Sequence, residues 1–146
     1  SSAIDLRARC GDAAAAMHPF LLESGTSLAA KIKRGEATSE AVVRAHIDRL
    51  REVNPVINAV VRARVREAIA EARAADARLA AEGPDALPPF HGVPCTIKES
   101  FQLEGMPQTS GLVARRHNRA TSDAVTVRRL REAGAIPIGV TNVSEL

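Results

Sequence analysis

Two short polar segments follow apolar runs in this chain, and they are where its chemistry is expected. Lys98-Glu99-Ser100 comes after Val93 to Ile97, and Thr141-Asn142-Val143-Ser144 comes after Ala135 to Val140. A lysine at a strand end has two readings. In one, its stem lies along the protein and its ammonium reaches water. In the other it is a base, which must be neutral to accept a proton. An ordinary lysine titrates near pH ~10.4, so a lysine base requires apolar surroundings that disfavour the ammonium. Val93 and Ile97 are the strand neighbours expected to supply them. Glu99 does not oppose this reading, because successive strand residues point to opposite faces. On spacing alone the solvated reading of Lys98 is favoured, since a single lysine is a poor motif.

No serine offers itself as a nucleophile: the chain has no GxSxG elbow, no SxxK and no serine paired with a histidine. Ser100, Ser110, Ser122 and Ser144 read as loop or cap residues. His18, His46, His91 and His117 are scattered, and Cys10 and Cys95 form no CxxC, so no metal site, cofactor or disulfide framework is expected. The net charge of +3 raises the question of nucleic acid. Arginines interleave with acids along the same helices, however, and the chain has three Phe with no Trp or Tyr for stacking, so no nucleic-acid partner is expected. The apolar run from Ala13 to Met17 is far shorter than the ~20 residues of a membrane span. With no membrane segment and no signal peptide, the expected location is the cytoplasm.

The two polar segments need a scaffold, and hydrophobic periodicity describes one. A short helix over Ala13 to Met17 is expected to end at His18-Pro19. Thr26 or Ser27 is expected to cap a helix through Arg34, with Leu28 and Ile32 on one face and Gly35 ending it. Thr38 or Ser39 opens a second helix, with the stripe Val43, Ile47 and Leu50, stopping before Asn54-Pro55. Ile57 to Val61 reads as a short strand or turn. Arg64 to Glu82 reads as an Ala-rich helix with Val65, Ile69, Ala72 and Leu79 inward.

Past the breakers Gly83-Pro84 and Pro88-Pro89, Val93 to Ile97 reads as a strand and Gly105 to Asn118 as a loop. Thr121 or Ser122 should then cap a helix carrying Ala124, Val127, Leu130 and Ala133, which Gly134 stops before the buried strand Ala135 to Val140. Strand, helix, strand is a crossover unit, which makes the two strands parallel. The expected fold is α/β, with helices packed on a mixed, largely parallel β-sheet. Ligands of such sheets bind beyond the carboxyl ends of the strands, where both polar segments lie.

The stretch Phe90-His91-Gly92-Val93-Pro94-Cys95-Thr96-Ile97-Lys98-Glu99 resembles the segment of the amidase-signature family in which a strand delivers the catalytic lysine, Gly-(Val/Ile)-Pro followed by an apolar pair and Lys-Asp or Lys-Glu. The likeness continues through Gly105-Met106-Pro107, Thr109-Ser110-Gly111, Asp123-Ala124, Leu130 to Gly139 and Thr141-Asn142 to Glu145. Upstream, Thr38-Ser39-Glu40 and Asn54-Pro55 to Val61 are similar to the family's first helices. Lys98-Glu99, Glu104 to Pro107 with Ser110-Gly111-Leu112, and Gly139 to Leu146 look most like fatty-acid amide hydrolase relatives and less like the glutaminyl-tRNA amidotransferase subunit.

The resemblance implies the N-terminal part of the amidase-signature fold. Residues 1–25 would be a poorly defined segment, and 26–146 the N-terminal portion of a single amidase domain that continues past Leu146. It implies Lys98 as the base of a triad with a bridging serine and a serine nucleophile, both beyond Leu146, acting on a small-molecule amide through an acyl-enzyme. The fragment alone is then expected to be inactive, and a homodimer is the candidate assembly. Two other readings stay open: one component of a tRNA-dependent amidotransferase, and a non-catalytic remnant of the scaffold.

Overall fold

A computed structural model describes residues 17–145. The helix expected over Ala13 to Met17 therefore lies, apart from Met17, outside the described residues. Helix α1 spans Gly25–Lys33 and is capped by Ser24, whose Oγ accepts from the Ser27 N–H at 3.2 Å. The cap sits earlier than Thr26 or Ser27 because Ser24 holds the extended backbone that a cap requires, while the Ser27 hydroxyl donates to Glu23 at 2.6 Å. Leu28 and Ile32 are buried as their spacing predicts.

Helix α2, Ser39–Ile57, has its first N–H groups met twice over. Thr38 Oγ1 accepts from Ala41, and the Asp76 carboxylate accepts from Ser39 at 2.6 Å and Glu40 at 3.0 Å. The expected stop before Asn54-Pro55 is corrected, because the helix runs through Pro55 to Ile57. Pro55 falls in the last turn, where its missing N–H removes one helical bond. The end is stabilised in other ways. Asn58 is left-handed at φ 46° and donates its N–H to Asn54 O at 2.8 Å. The Asn54 side chain meanwhile bonds both the N–H and the C=O of Val60, at 2.8 and 2.9 Å, fastening the helix to the next strand.

Strand β1 is Val60–Ala63, helix α3 Val65–Glu82, strand β2 Pro94–Lys98, helix α4 Val125–Glu132 and strand β3 Ile136–Thr141. The sheet order is β1-β3-β2, with β2 parallel to β3 as expected and β1 antiparallel to it. A register shift between Cys95 and Thr96 takes the pairing from Pro137 directly to Gly139. One extra residue on β3 reverses which side its later residues face. Ile136 and Ile138 thus pack with Val43, Ile47, Ala68 and Ala72 of α2 and α3, while Val140 joins Ile97, Leu103, Met106 and Val127.

Helix α4 is not capped by Thr121 or Ser122. It begins at Val125, with Ala124 in the cap position and no side-chain cap bond. The Ala124 N–H donates to Gln102 O at 2.9 Å, which holds this residue extended and delays the helix. Gly134 follows the helix at φ 94°, as expected for its stop. The 105–118 loop contains one 3-10 turn, Val113–Arg115.

Candidate active site at the carboxyl edge of the sheet

Lys98 is the last residue of β2 and lies in register with Thr141, the last of β3. The two polar segments singled out in the sequence are thus brought side by side. Along β2, Thr96 and Lys98 are exposed while Ile97 is buried at 6% exposure. This corrects the expectation that Val93 and Ile97 desolvate Lys98. Ile97 belongs to the cluster with Val127 and Val140, and Val93 packs on Leu28 and Ile32 of α1. Among the described residues β2 is an edge strand, and a cavity of about 260 Å³ at this place is lined by Thr96, Ile97, Lys98, Phe101, Thr126, Val127 and Leu130.

Glu99 behaves differently. It is 2% exposed, and its two carboxylate oxygens accept from the backbone N–H groups of Thr109 and Ser110, the second at 2.9 Å. Hydrogen bonds to a buried charged group each contribute about 1.5–3 kcal/mol, and a buried carboxylate without them is strongly disfavoured. Its own N–H donates to Thr141 O at 3.1 Å. Sequence reasoning placed Glu99 opposite Lys98 but missed this role. The available signal was the Thr109-Ser110-Gly111 turn, whose backbone donors need an acceptor. Ser110 is left-handed at φ 51°, as is Gly111 at φ 74°. A Cβ on Gly111 would lie 2.8 Å from Glu145 Cα, so the turn sits directly on the segment after β3. Turn and strand ends enclose a cavity of about 230 Å³ lined by Val61, Arg62, Glu99, Thr109, Gly111 and Asn142.

The remaining candidates stay structural. Ser100 is half-buried in the turn after β2, Ser110 serves the Glu99 contact through its backbone, and Ser122 and Ser144 are exposed. His91 is buried, and its ring Nε2 pairs with Ala75 O at 2.9 Å. Burial pushes the Cys95 thiol up to about 11, which suppresses the thiolate and its nucleophilicity. Among the described residues no group of three or more His, Cys, Asp or Glu could hold a metal ion, and no helix is long and apolar enough to cross a membrane.

A family model described as Amidase matches residues 41–146, which include Lys98, Glu99, the 109–111 turn and all three strands. The chain belongs to the amidase family. Its similarity to fatty-acid amide hydrolase 2-A of Danio rerio is 50% identity over 134 residues, 88% of this chain and 25% of that protein. A glutamyl-tRNA(Gln) amidotransferase subunit of Acidothermus cellulolyticus is 37% identical over 129 residues, again 88% of this chain and 25% of that protein. Among solved structures, native peptide amidase from Stenotrophomonas maltophilia superposes with a TM-score of 0.78 at 30% identity, over 87% of this chain and 26% of that one. The α/β fold with a mixed sheet is therefore that of the amidase family, and the chain spans about a quarter of the length of the curated relatives it matches.

Proposed function

We propose that the full-length protein hydrolyses the carboxylic amide bond of a small molecule, with Lys98 as general base and residues 26–146 as the N-terminal portion of one catalytic domain. The observation that carries this reading is the place of Lys98. It ends β2 beside Thr141, at the carboxyl edge where α/β sheets bind ligands, inside the stretch that matches the family. In this reading Lys98 draws a proton through a bridging serine as a serine nucleophile attacks the amide carbonyl. The tetrahedral adduct collapses, the C–N bond breaks, and the proton passes to the leaving amine. Water then releases the acyl group. No serine of this chain is given either serine role. The rest of the domain would lie against β2, an edge strand among the described residues, and against the exposed Phe101, closing the surface around Lys98.

An amidotransferase component is the second reading, favoured by the 37% identity to the Acidothermus cellulolyticus protein and weighed against by the 50% identity to fatty-acid amide hydrolase 2-A. Both are tested on the full-length protein with a panel of acyl amides. Lys98→Ala is expected to lower kcat by about 10³-fold, within the span of general acid–base contributions, with the circular dichroism spectrum unchanged. Full turnover in Lys98→Ala removes Lys98 from the mechanism. Absence of turnover in the unaltered protein, together with co-purifying partner chains, moves the reading to the amidotransferase, and absence of both leaves a non-catalytic remnant.

A further inference from the structure

Among the described residues Glu99 is the one nearly inaccessible carboxylate at the sheet edge, and the mechanism above makes no use of it. It joins three segments that are distant in sequence. Its N–H holds Thr141 of β3, its carboxylate holds the N–H groups of Thr109 and Ser110, and its amide nitrogen follows directly on Lys98. The Lys98 C=O is in turn fixed by the Phe101 N–H at 2.9 Å. The turn that Glu99 holds cannot retreat freely, because Gly111 already stands against the backbone of Ser144 and Glu145.

We infer that Glu99 is a positioning residue, a carboxylate clamp that fixes the 109–111 turn against the ends of β2 and β3 and thereby the backbone from which Lys98 projects. The inference rests on the amidase reading of Lys98. Its physical basis is that a displaced acid–base group loses rate steeply: a shift of about 1 Å can lower it by about 10²-fold. Glutamine at this position has one oxygen and one N–H₂ group, so it accepts from one of the two backbone donors and confronts the other with a donor. Aspartate keeps both acceptors.

The test uses the full-length protein. Glu99→Gln is expected to speed amide hydrogen exchange at Thr109 and Ser110 by at least about tenfold, the loss of one charge-assisted hydrogen bond, with Val140 unchanged. Its kcat for amide hydrolysis should fall between about tenfold and about 10²-fold with KM held within about threefold, and Glu99→Asp should recover most of the kcat. Unchanged exchange at Thr109 and Ser110 overturns the clamp. Faster exchange there with unchanged kcat, or a raised KM alone, overturns its positioning of Lys98. Equal loss of protection at Val140 reduces Glu99 to a general stabiliser and overturns it too. If Glu99→Gln fails to fold, Glu99→Asp is read alone: exchange at the two amides and kcat unchanged together, or altered together, supports the inference, whereas unchanged exchange with kcat lowered at least about tenfold, or exchange at least about tenfold faster with kcat unchanged, overturns it. If the unaltered protein hydrolyses no amide, the amidase reading fails by itself, while the exchange result still decides whether the clamp exists.

Discussion

The helical half, α1 to α3, and the sheet edge, residues 98–111 with 139–145, are held by contacts of opposite kinds. In the helices the interior is apolar, Leu28, Ile32, Val42, Val43, Ile47, Ala68 and Ala72, and most charged pairs lie outside it. Glu40 is representative: it pairs with Arg44 at 2.7 Å and Arg73 at 3.0 Å in contact with water. At the sheet edge the carboxylate of Glu99 is buried and bonded to backbone groups, and glycines permit main chains to approach closely. Removing one exposed ion pair leaves both partners solvated, so little is lost. Removing a buried acceptor leaves its half-buried donors without their partner, which costs more. The outer face of the helical half should therefore tolerate loss of its charged groups, and the sheet edge should not tolerate loss of its buried acceptor.

The contact between α2 and the segment leading into β2 gives the largest expected effect on stability. Gly92 has φ +76°, and a Cβ there would lie 2.6 Å from Ser39 Oγ, which itself donates to Gly92 O at 2.8 Å inside a fully buried contact. Gly92→Ala combines backbone strain with overpacking and is expected to destabilise by about 3 kcal/mol, read from the urea midpoint. A loss below about 1 kcal/mol would show that this contact yields as easily as the helix surface.

Asp76→Ala should come next. It strips two N–H acceptors from the start of α2, and about 1–2 kcal/mol is expected by the same measurement, since Thr38 remains as a cap. Glu40→Gln should be the smallest. Hydrogen bonds from Arg73 and then Arg44 hold the Glu40 carboxyl below the usual carboxylate range. A carboxyl lowered on folding adds stability that is present above its unfolded pKa and lost as pH falls through the folded one. The difference between the unaltered protein and Glu40→Gln should thus exist at pH 7, shrink below the usual carboxylate range, and weaken in high salt. A Glu40→Gln loss matching that of Asp76→Ala would erase the contrast between the outer face of the helices and the caps beneath it.

Much of this was legible in the sequence because it depends on near neighbours. Periodicity placed the helices, Gly83 and Gly134 marked their ends, and the strand-helix-strand order of 93–140 gave a parallel pair. The Gly92 to Glu99 motif singled out Lys98 and carried the likeness to the amidase family. Where local rules failed, a distant partner had intervened. Asn54 bonding Val60 let α2 continue through Pro55, and Gln102 bonding Ala124 delayed α4. The extra residue on β3 turned Val140 away from Ile138 and toward α4.

Sequence alone determined that a lysine would end a strand at the carboxyl edge of an α/β sheet, because apolar alternation and turn residues act within a few positions. Among the described residues, tertiary structure decided which side of that strand is packed, with Ile97 pointing inward, and what Glu99 does. A carboxylate's partners ten residues away are chosen by chain closure and by exclusion of water, and neither is written in the spacing of residues along one strand.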